Sequence, residues 1–207
     1  MTLIPVNLAT EDELSEVTLL RILNHVGRYS VGVAYRRGGF GYLRRTISGW
    51  NAAARGVPFI VLTDLDNRDC PSRLISEWLT VPKHPNLLFR VAVPEVESWL
   101  IADKANLAKF LGIDQRIVPA NCDDLADPKA EIIRLARRSR TRIIRDGIVP
   151  RVGSTAKQGP DYNGLLGAFV RKDWNPDAAG LRSPSLTRTI TRLAAFNRSG
   201  LTGEVMR

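Results

Sequence analysis

Short apolar runs alternate with amphipathic segments through the first half of the chain. The apolar runs predict strands at residues 2–8, 31–35, 57–63 and 86–93. Segments with apolar residues three or four positions apart predict helices at residues 10–26, 42–55, 71–79 and 94–103. The run 57–63 is almost continuously apolar, as in a central parallel strand buried on both faces. This alternation predicts an α/β fold, a parallel sheet flanked by helices.

Local signals mark where several of these helices begin and end. Thr10 and Glu13 have the spacing of a capping box, in which each side chain satisfies a backbone donor of the other residue. Gly27 stands where a left-handed residue commonly ends a helix. Pro71 suits a first helical turn, because its missing N–H has no partner to lose there.

The pattern changes after about residue 104. Helical periodicity returns at residues 105–111, over a long basic stretch at 128–145 and at 185–196, with irregular segments between them. We therefore predict a domain over residues 1–104 and a basic, mainly helical extension over residues 105–207. We expect the extension to pack on the sheet domain rather than form a second independent domain, because the only linker-like segment, residues 146–163, is too short to mark a boundary.

The composition is ordinary for a soluble globular protein. Of 207 residues, 44% are hydrophobic and 25% are charged. No apolar run is long enough to span a bilayer, and the first ten residues lack the pattern of a signal peptide. The two cysteines, Cys70 and Cys122, do not have metal-ligand spacing. These features predict a cytoplasmic protein without a membrane span.

The charge is unevenly distributed along the chain. Residues 1–128 hold 14 basic and 15 acidic side chains, whereas residues 129–207 hold 16 basic and 6 acidic ones. A basic surface attracts polyanions because binding releases their condensed counterions. The second part therefore indicates contact with nucleic acid, the alternative being a solvated surface.

Acidic residues follow the most apolar predicted strand. Asp64 and Asp66 come directly after the run 57–63. Ligand sites of open α/β sheets lie at the carboxyl ends of strands, and Mg²⁺ prefers carboxylate oxygens. The pair therefore predicts a metal site, although the same residues also suit a polar turn.

Two other predicted strands also end in acids. Glu11, Asp12 and Glu13 follow the first strand, and Glu95 and Glu97 follow the fourth. Parallel strands share one carboxyl edge, so we expect these acids to converge there with the first pair. Each one also suits the positive end of a helix dipole, which is the competing explanation.

The order of these elements, with the phrase at residues 61–66 and the segment 90–103, resembles the Toprim fold and more narrowly the DUF4276 family of Toprim-related bacterial proteins. The resemblance covers about residues 1–104. It implies a nuclease related to the OLD type, in which Mg²⁺ or Mn²⁺ is held by Asp64, Asp66 and a first-strand acid, for which we favour Glu13 and then Asp12. Glu97 is a further acid of that family, so the implied catalytic set is Glu13, Asp64, Asp66 and Glu97. Toprim proteins usually carry a Glu-Gly pair after the first strand, and no glycine lies between Ala9 and Val26 here.

Arginines form two candidate nucleic-acid contacts. One set lies on the predicted helix 128–145 and the other beside the glycine-rich loop that follows the second strand. Arg forks match phosphate oxygens, although an amphipathic surface helix and a simple turn explain the same residues. The two sets are Arg134, Arg137, Arg138 and Arg142, and Arg36 and Arg37.

These features favour a Mg²⁺-dependent nuclease acting on DNA or RNA. The resemblance further implies a role in phage defence, beside an ATPase that would be a separate polypeptide. The alternative is a catalytically degenerate nucleic-acid-binding or ATPase-partner subunit. A phosphatase is less favoured, because its Asp-x-Asp motif normally follows the first strand. Lys129 is interpreted as a solvent-exposed side chain rather than a charge stabiliser.

Overall fold

A computed structural model describes residues 2–36 and 38–199. The described strands are β1 (Ile4–Thr10), β2 (Tyr29–Tyr35), β3 (Phe59–Asp64) and β4 (Leu87–Ala92). They form one parallel sheet in the order β2-β1-β3-β4. The α/β class with a parallel sheet flanked by helices is therefore confirmed.

Helices cover both faces of this sheet. The helices that alternate with the strands are α1 (Glu13–Val26), α2 (Gly39–Ala53), α3 (Pro71–Trp78) and α4 (Val96–Ala102). One face packs against α2 and α3 through a cluster that includes Trp50, Trp78 and Phe89. The other face packs against α1, α4 and the helices that follow them. The sheet is thus the middle of three layers.

The second half of the chain is largely helical. Its elements are α5 (Lys104–Leu111), a 3₁₀ turn (Gln115–Ile117), α6 (Pro128–Ala136), α7 (Arg142–Ile148), α8 (Tyr162–Lys172), α9 (Pro176–Gly180) and α10 (Pro184–Ala194). Their apolar side chains share one buried cluster with those of β1, β3 and β4. Trp174 Nε1, for example, donates a hydrogen bond of 3.0 Å to the carbonyl oxygen of Trp99. The helices continue the core of the sheet, and the division at residue 104 stays a prediction.

Two sequence predictions about helix ends are wrong. The residue that caps α1 is Asp12, whose Oδ1 accepts the Ser15 N–H at 2.8 Å, because β1 extends through Thr10 and removes it from the capping position. The single helix over 128–145 is two helices, α6 and α7, separated by a turn. Ser139 Oγ accepts the Thr141 N–H at 3.1 Å in that turn, which interrupts the helical ladder. Gly27 does end α1, with a left-handed φ of 70°.

The strand order creates a crevice at the carboxyl edge of the sheet. From β1 the chain passes to β2 on one side, and from β3 it passes to β4 on the other. The helices α1 and α3, which make these two connections, lie on opposite faces of the sheet. The ends of β1 and β3 therefore flank a topological switch point, the usual ligand position of an open α/β sheet. In the described residues no helix has both the length and the hydropathy that a bilayer span requires.

Candidate functional site

The two strand ends at the switch point each contribute a carboxylate. Glu11 follows β1 and Asp64 ends β3. Glu11 Oε1 accepts the backbone N–H of Asp64 at 3.1 Å and also the hydroxyl of Thr63. These bonds fix the Glu11 side chain across the crevice and beside Asp64.

Asp64 is also held by the segment that connects β4 to α4. Its Oδ1 accepts the N–H of Val96 at 3.0 Å, at the N-terminal end of α4. The Leu65 and Asp66 N–H groups both donate to the Pro94 carbonyl oxygen, at 2.9 and 3.0 Å. The loop that carries the aspartates is therefore positioned by backbone contacts.

Asp66 has an unusual backbone conformation. Its φ of 51° lies in the left-handed region, which costs most residues about 1–2 kcal/mol but is tolerated by Asp. Its exposed carboxylate lies 3.4 Å from Nη1 of Arg68, measured to Oδ2. Arg68 in turn lies over the ring of Phe40, 4.0 Å from its centroid. Asp66 is thus the exposed acid of the crevice, and its carboxylate is paired with Arg68.

Two glutamates of the β4–α4 segment complete the group. Glu97 is buried, with 4% of its side chain exposed, and its Oε1 accepts the Tyr162 hydroxyl at 3.2 Å. Glu95 Oε2 is buried and makes no hydrogen bond within the described residues. We call the whole group the acidic edge: Glu11, Asp12, Asp64, Asp66, Glu95 and Glu97.

Burial and mutual repulsion make four of these carboxylates, Glu11, Asp64, Glu95 and Glu97, harder to ionise. Burial raises the pKa of Asp64 well above its usual value, and the neighbouring charges of Glu97 and Glu11 raise it further. Burial likewise raises the pKa of Glu11 and of Glu97. The pKa of Glu95 rises to about 7 through burial and the charge of Glu97. Such shifts are typical of functional sites, although structural networks also produce them.

Lys129 supplies a positive charge to this group, contrary to its interpretation as a solvent-exposed residue. Its Nζ lies 3.4 Å from Glu97 Oε1, and only 36% of its side chain is exposed. Burial opposes its charge, yet the charges of Glu97, Glu95 and Asp12 raise the pKa of Lys129 overall. The sequence signal for this role was the position of Lys129 in the first turn of α6, directly after Asp127 and Pro128.

The acidic edge suits a divalent cation by its chemistry. Hard cations take carboxylate oxygens, and within the described residues Asp64 and Glu11 each engage a single oxygen in hydrogen bonds, which leaves the second available. In the ranges 2–36 and 38–199, no three His, Cys, Asp or Glu side chains already form a complete metal-binding set. A cation at Asp64 and Glu11 would therefore require a further ligand, which Asp66 could supply by leaving its contact with Arg68.

The structure places the predicted first-strand acids differently from one another. Glu13 is about half exposed and faces Arg36, 4.0 Å away between Oε2 and Nη1. Within the described contacts it does not reach Asp64. Asp12 caps α1 and lies close enough to Asp64 and Glu97 for its charge to raise the pKa of both. Glu11, which the sequence interpretation did not select, is the acid that contacts the Asp64 backbone.

The predicted arginine contacts divide between several surfaces. Arg134 and Arg137 line a cleft of about 470 Å³, which we call the basic cleft and which also includes Lys129 and Lys157. Arg138 lies on a separate depression beside Asp114. The remaining residues are Arg142, which pairs with Asp146, Arg36, which pairs with Glu16, and Arg37, which lies outside the described residues.

Comparison of the chain with protein-family models, curated proteins and solved structures gave no match. The resemblance to Toprim and DUF4276 proteins therefore stays a prediction. Because one fold hosts many activities, the function must be argued from the chemistry of the site.

Proposed function

We propose that this protein is a divalent-metal-dependent hydrolase of nucleic-acid phosphodiesters. The observation that carries the proposal is the convergence of carboxylates from three strand ends at the switch point of the sheet, around Asp64. Raised pKa values alone do not identify a function. Carboxylates that repel one another in a crevice are, however, stabilised by a bound cation.

Asp64, Asp66 and Glu11 are the residues that would hold the metal. A bound Mg²⁺ or Mn²⁺ would neutralise charge on a phosphate and make bound water a better nucleophile. The chain fixes Asp64 and Glu11 by backbone hydrogen bonds, so these two oxygen donors are already oriented. Asp66 adds a third donor on a loop held by the Pro94 carbonyl.

Glu95 is suited to proton transfer. Its pKa of about 7 means that near neutral pH both its acid and its carboxylate forms are populated. Its buried Oε2 has no hydrogen-bond partner among the described residues, so no contact with them occupies its lone pairs. We assign Glu95 the role of general base, and Glu97 the role of holding Lys129 in place.

The basic cleft is the proposed path of the substrate backbone. Lys129 lines this cleft and also contacts Glu97, so the cleft adjoins the acidic edge. Arg134 and Arg137 lie along the same cleft, although Arg134 is also paired with Glu131 at 2.5 Å. A phosphate backbone in the cleft would thus pass Lys129 before it reaches the carboxylates.

A cleavage assay tests this proposal. Labelled DNA and RNA, single- and double-stranded, are incubated with the protein and Mg²⁺ or Mn²⁺, and the products are separated by size. We expect cleavage that chelation stops and that Asp64→Asn reduces to background while the fold is retained. The matched control is Asp69→Asn, which removes an exposed carboxylate paired with Arg73 and should cleave like the parent. Absence of cleavage with either metal, or equal cleavage by Asp64→Asn, would exclude the nuclease.

One observation favours a second candidate, a nucleic-acid-binding subunit without catalysis. Lys129 already provides positive charge to Glu97, as a metal would, and no complete metal-binding set is preformed in the described residues. In that case nucleic acid would bind with the same affinity with and without Mg²⁺, and Asp64→Asn would not weaken binding. A cytoplasmic location, an ATPase partner and a role in phage defence stay predictions from the sequence.

A further inference from the structure

A second group of cations lies on the sheet edge formed by β4. Arg90 is the one charged residue of that strand, and it is partly buried. Its Nε approaches Thr189 Oγ1 of α10 at 3.4 Å, and Arg188 and Arg192 flank Thr189 on that helix. Lys83 Nζ donates to the Leu87 carbonyl oxygen at 3.1 Å, at the start of β4. We call these four residues the cation patch: Lys83, Arg90, Arg188 and Arg192.

The charges of the cation patch oppose one another. Burial lowers the pKa of Arg90, and the charges of Arg192 and Arg188 lower it further. Burial and the charges of Arg192 and Arg90 lower the pKa of Lys83. Among the salt bridges of residues 2–36 and 38–199, none involves a member of the patch.

Several surface arginines of the same chain are paired with acids, and others, such as Arg44 and Arg55, are exposed to solvent. Arg73 lies between Asp69 and Glu77, Arg116 contacts Asp114 at 2.6 Å, and Arg142 contacts Asp146 at 3.1 Å. A partly buried guanidinium without an acid is costly unless a ligand supplies the opposite charge. Partly buried arginines without an acid, such as Arg21 and Arg145, donate to backbone carbonyl oxygens. Arg90 has only the 3.4 Å contact to Thr189 Oγ1, which indicates that its partner comes from outside the described residues.

The position of the patch indicates what that partner is. Arg90 is two residues from Ala92, the register partner of Asp64, so it stands about 7 Å along the strand from the row of the acidic edge. Leu88 and Ala92 belong to the sheet face that packs on α10. Arg90 lies between them, two residues from each, and therefore points to the same face. Arg188 and Arg192 are one helical turn apart on α10, a spacing that places Cβ atoms about 5–6 Å from each other. Several forked donors on one surface suit the successive phosphates of a backbone better than a single small anion.

We propose that the cation patch binds the phosphate backbone of a nucleic acid, as a site separate from the basic cleft. The patch involves no residue of the acidic edge, so this binding does not depend on whether the protein cleaves its ligand. A long polyanion that reaches the acidic edge along β4 would contact both regions. A small phosphoanion such as pyrophosphate would share the chemistry but not the length.

The test measures binding of a labelled DNA duplex by fluorescence anisotropy at several salt concentrations, in chelator so that no cleavage occurs. Arg188→Gln/Arg192→Gln is compared with Arg116→Gln/Arg171→Gln, which removes the same charge from surfaces outside the patch. We expect the patch variant to reduce the slope of log K against log salt by about 1.8 and to weaken binding roughly 60-fold near 0.1 M salt, because each lost phosphate contact accounts for about 0.9 of that slope. The control variant should change the slope by much less.

Two results would overturn the proposal. One is an equal change of slope in the two double variants, which would mean that net charge alone matters. The other is loss of pyrophosphate binding in the patch variant with an unchanged DNA slope, which would assign the patch to a small anion. Both variants alter exposed side chains, and thermal melting confirms that they fold; because repulsion is relieved, the patch variant should melt at or above the temperature of the parent. The cleavage assay is scored separately, so its failure and the failure of this proposal are distinguishable.

Discussion

The acidic edge and the cation patch have opposite charge but share one property. Each gathers side chains of like sign in a partly buried place, where they raise or lower one another's pKa values. Several charges elsewhere on the chain are paired with opposite ones, as in the network of Asp69, Arg73 and Glu77 at the start and along the length of α3. Local arrangements that cost stability are expected where a protein binds something.

The two regions differ in how firmly they are built. Glu11 and Asp64 are oriented by hydrogen bonds from backbone N–H groups. Arg188 and Arg192 are exposed side chains on a helix surface. A fixed donor set suits a small ion with strict geometry, whereas adaptable arginines suit a flexible polyanion. The comparison therefore predicts large, position-specific effects at the acidic edge and smaller, additive effects at the patch.

The largest expected effect separates two neighbouring glutamates. Glu11→Gln should reduce cleavage at least about 10-fold, since even changes outside the direct ligands of a metal typically cost about 10- to 100-fold in affinity or activity. Glu13→Gln should stay within about twofold of the parent, because its carboxylate faces Arg36 at the surface. Initial cleavage rates at saturating Mg²⁺ measure both. A strong loss of cleavage in Glu13→Gln, with normal cleavage by Glu11→Gln, would instead identify Glu13 as the first-strand acid, as the sequence favoured.

The next effect concerns the positive charge at the acidic edge. Lys129→Met removes the cation that lies 3.4 Å from Glu97 Oε1. We expect the melting temperature at pH 8 to fall by several degrees, where 1 kcal/mol corresponds to about 2–4 °C for a chain of this size. The loss should shrink toward pH 5, because the neighbouring carboxyls with raised pKa values then take up protons. Lys157→Met, at an exposed position of the basic cleft, is the control and should melt like the parent at both pH values.

A pH series sharpens the account of Glu95. Burial and Glu97 raise its pKa from 4.5 to about 7 in the folded protein. Between these values the unfolded chain releases the proton while the folded protein keeps it, so stability falls as the pH rises through this window. Glu95→Gln removes that loss, and its melting temperature should exceed that of the parent at pH 8 and match it near pH 4. An equal difference at both pH values would mean that Glu95 does not titrate in this range.

The smallest effect belongs to the cation patch. Arg192→Gln should raise the melting temperature by about a degree in low salt. The substitution removes a repulsion with Arg90 and Lys83 of about a few tenths of a kcal/mol. The rise should vanish in high salt, where the repulsion is screened. A lower melting temperature in low salt would show that Arg192 is bound to an internal partner.

The sheet and the acidic edge could be predicted from the sequence because both follow from local patterns. The continuous apolar run before Asp64 identified a buried strand, and parallel strands necessarily bring their carboxyl ends to one edge. The choice of Glu11 depended on where β1 ends. The strand extends to Thr10, two residues beyond the predicted boundary, and this shift makes Asp12 the helix cap and turns Glu11 toward Asp64.

Contacts between distant segments could not be predicted from the sequence pattern. Lys129 meets Glu97 across 32 positions, and Tyr162 meets the same carboxylate across 65. Arg90 gives no sign in the sequence that α10 lies beside it, since that contact depends on how the second half of the chain packs. The break between α6 and α7 was missed because Ser139 and Thr141 interrupt a helix through side-chain hydrogen bonds rather than through Gly or Pro.

Titration of the metal-free protein with Mn²⁺, followed by electron paramagnetic resonance of the free ion, tests the central claim most directly. The protein should bind Mn²⁺ at a site that Mg²⁺ competes for, and Asp64→Asn should abolish that binding while Asp69→Asn keeps it. Equal Mn²⁺ binding by Asp64→Asn and the parent, or none by the parent, would contradict a metal site at the acidic edge.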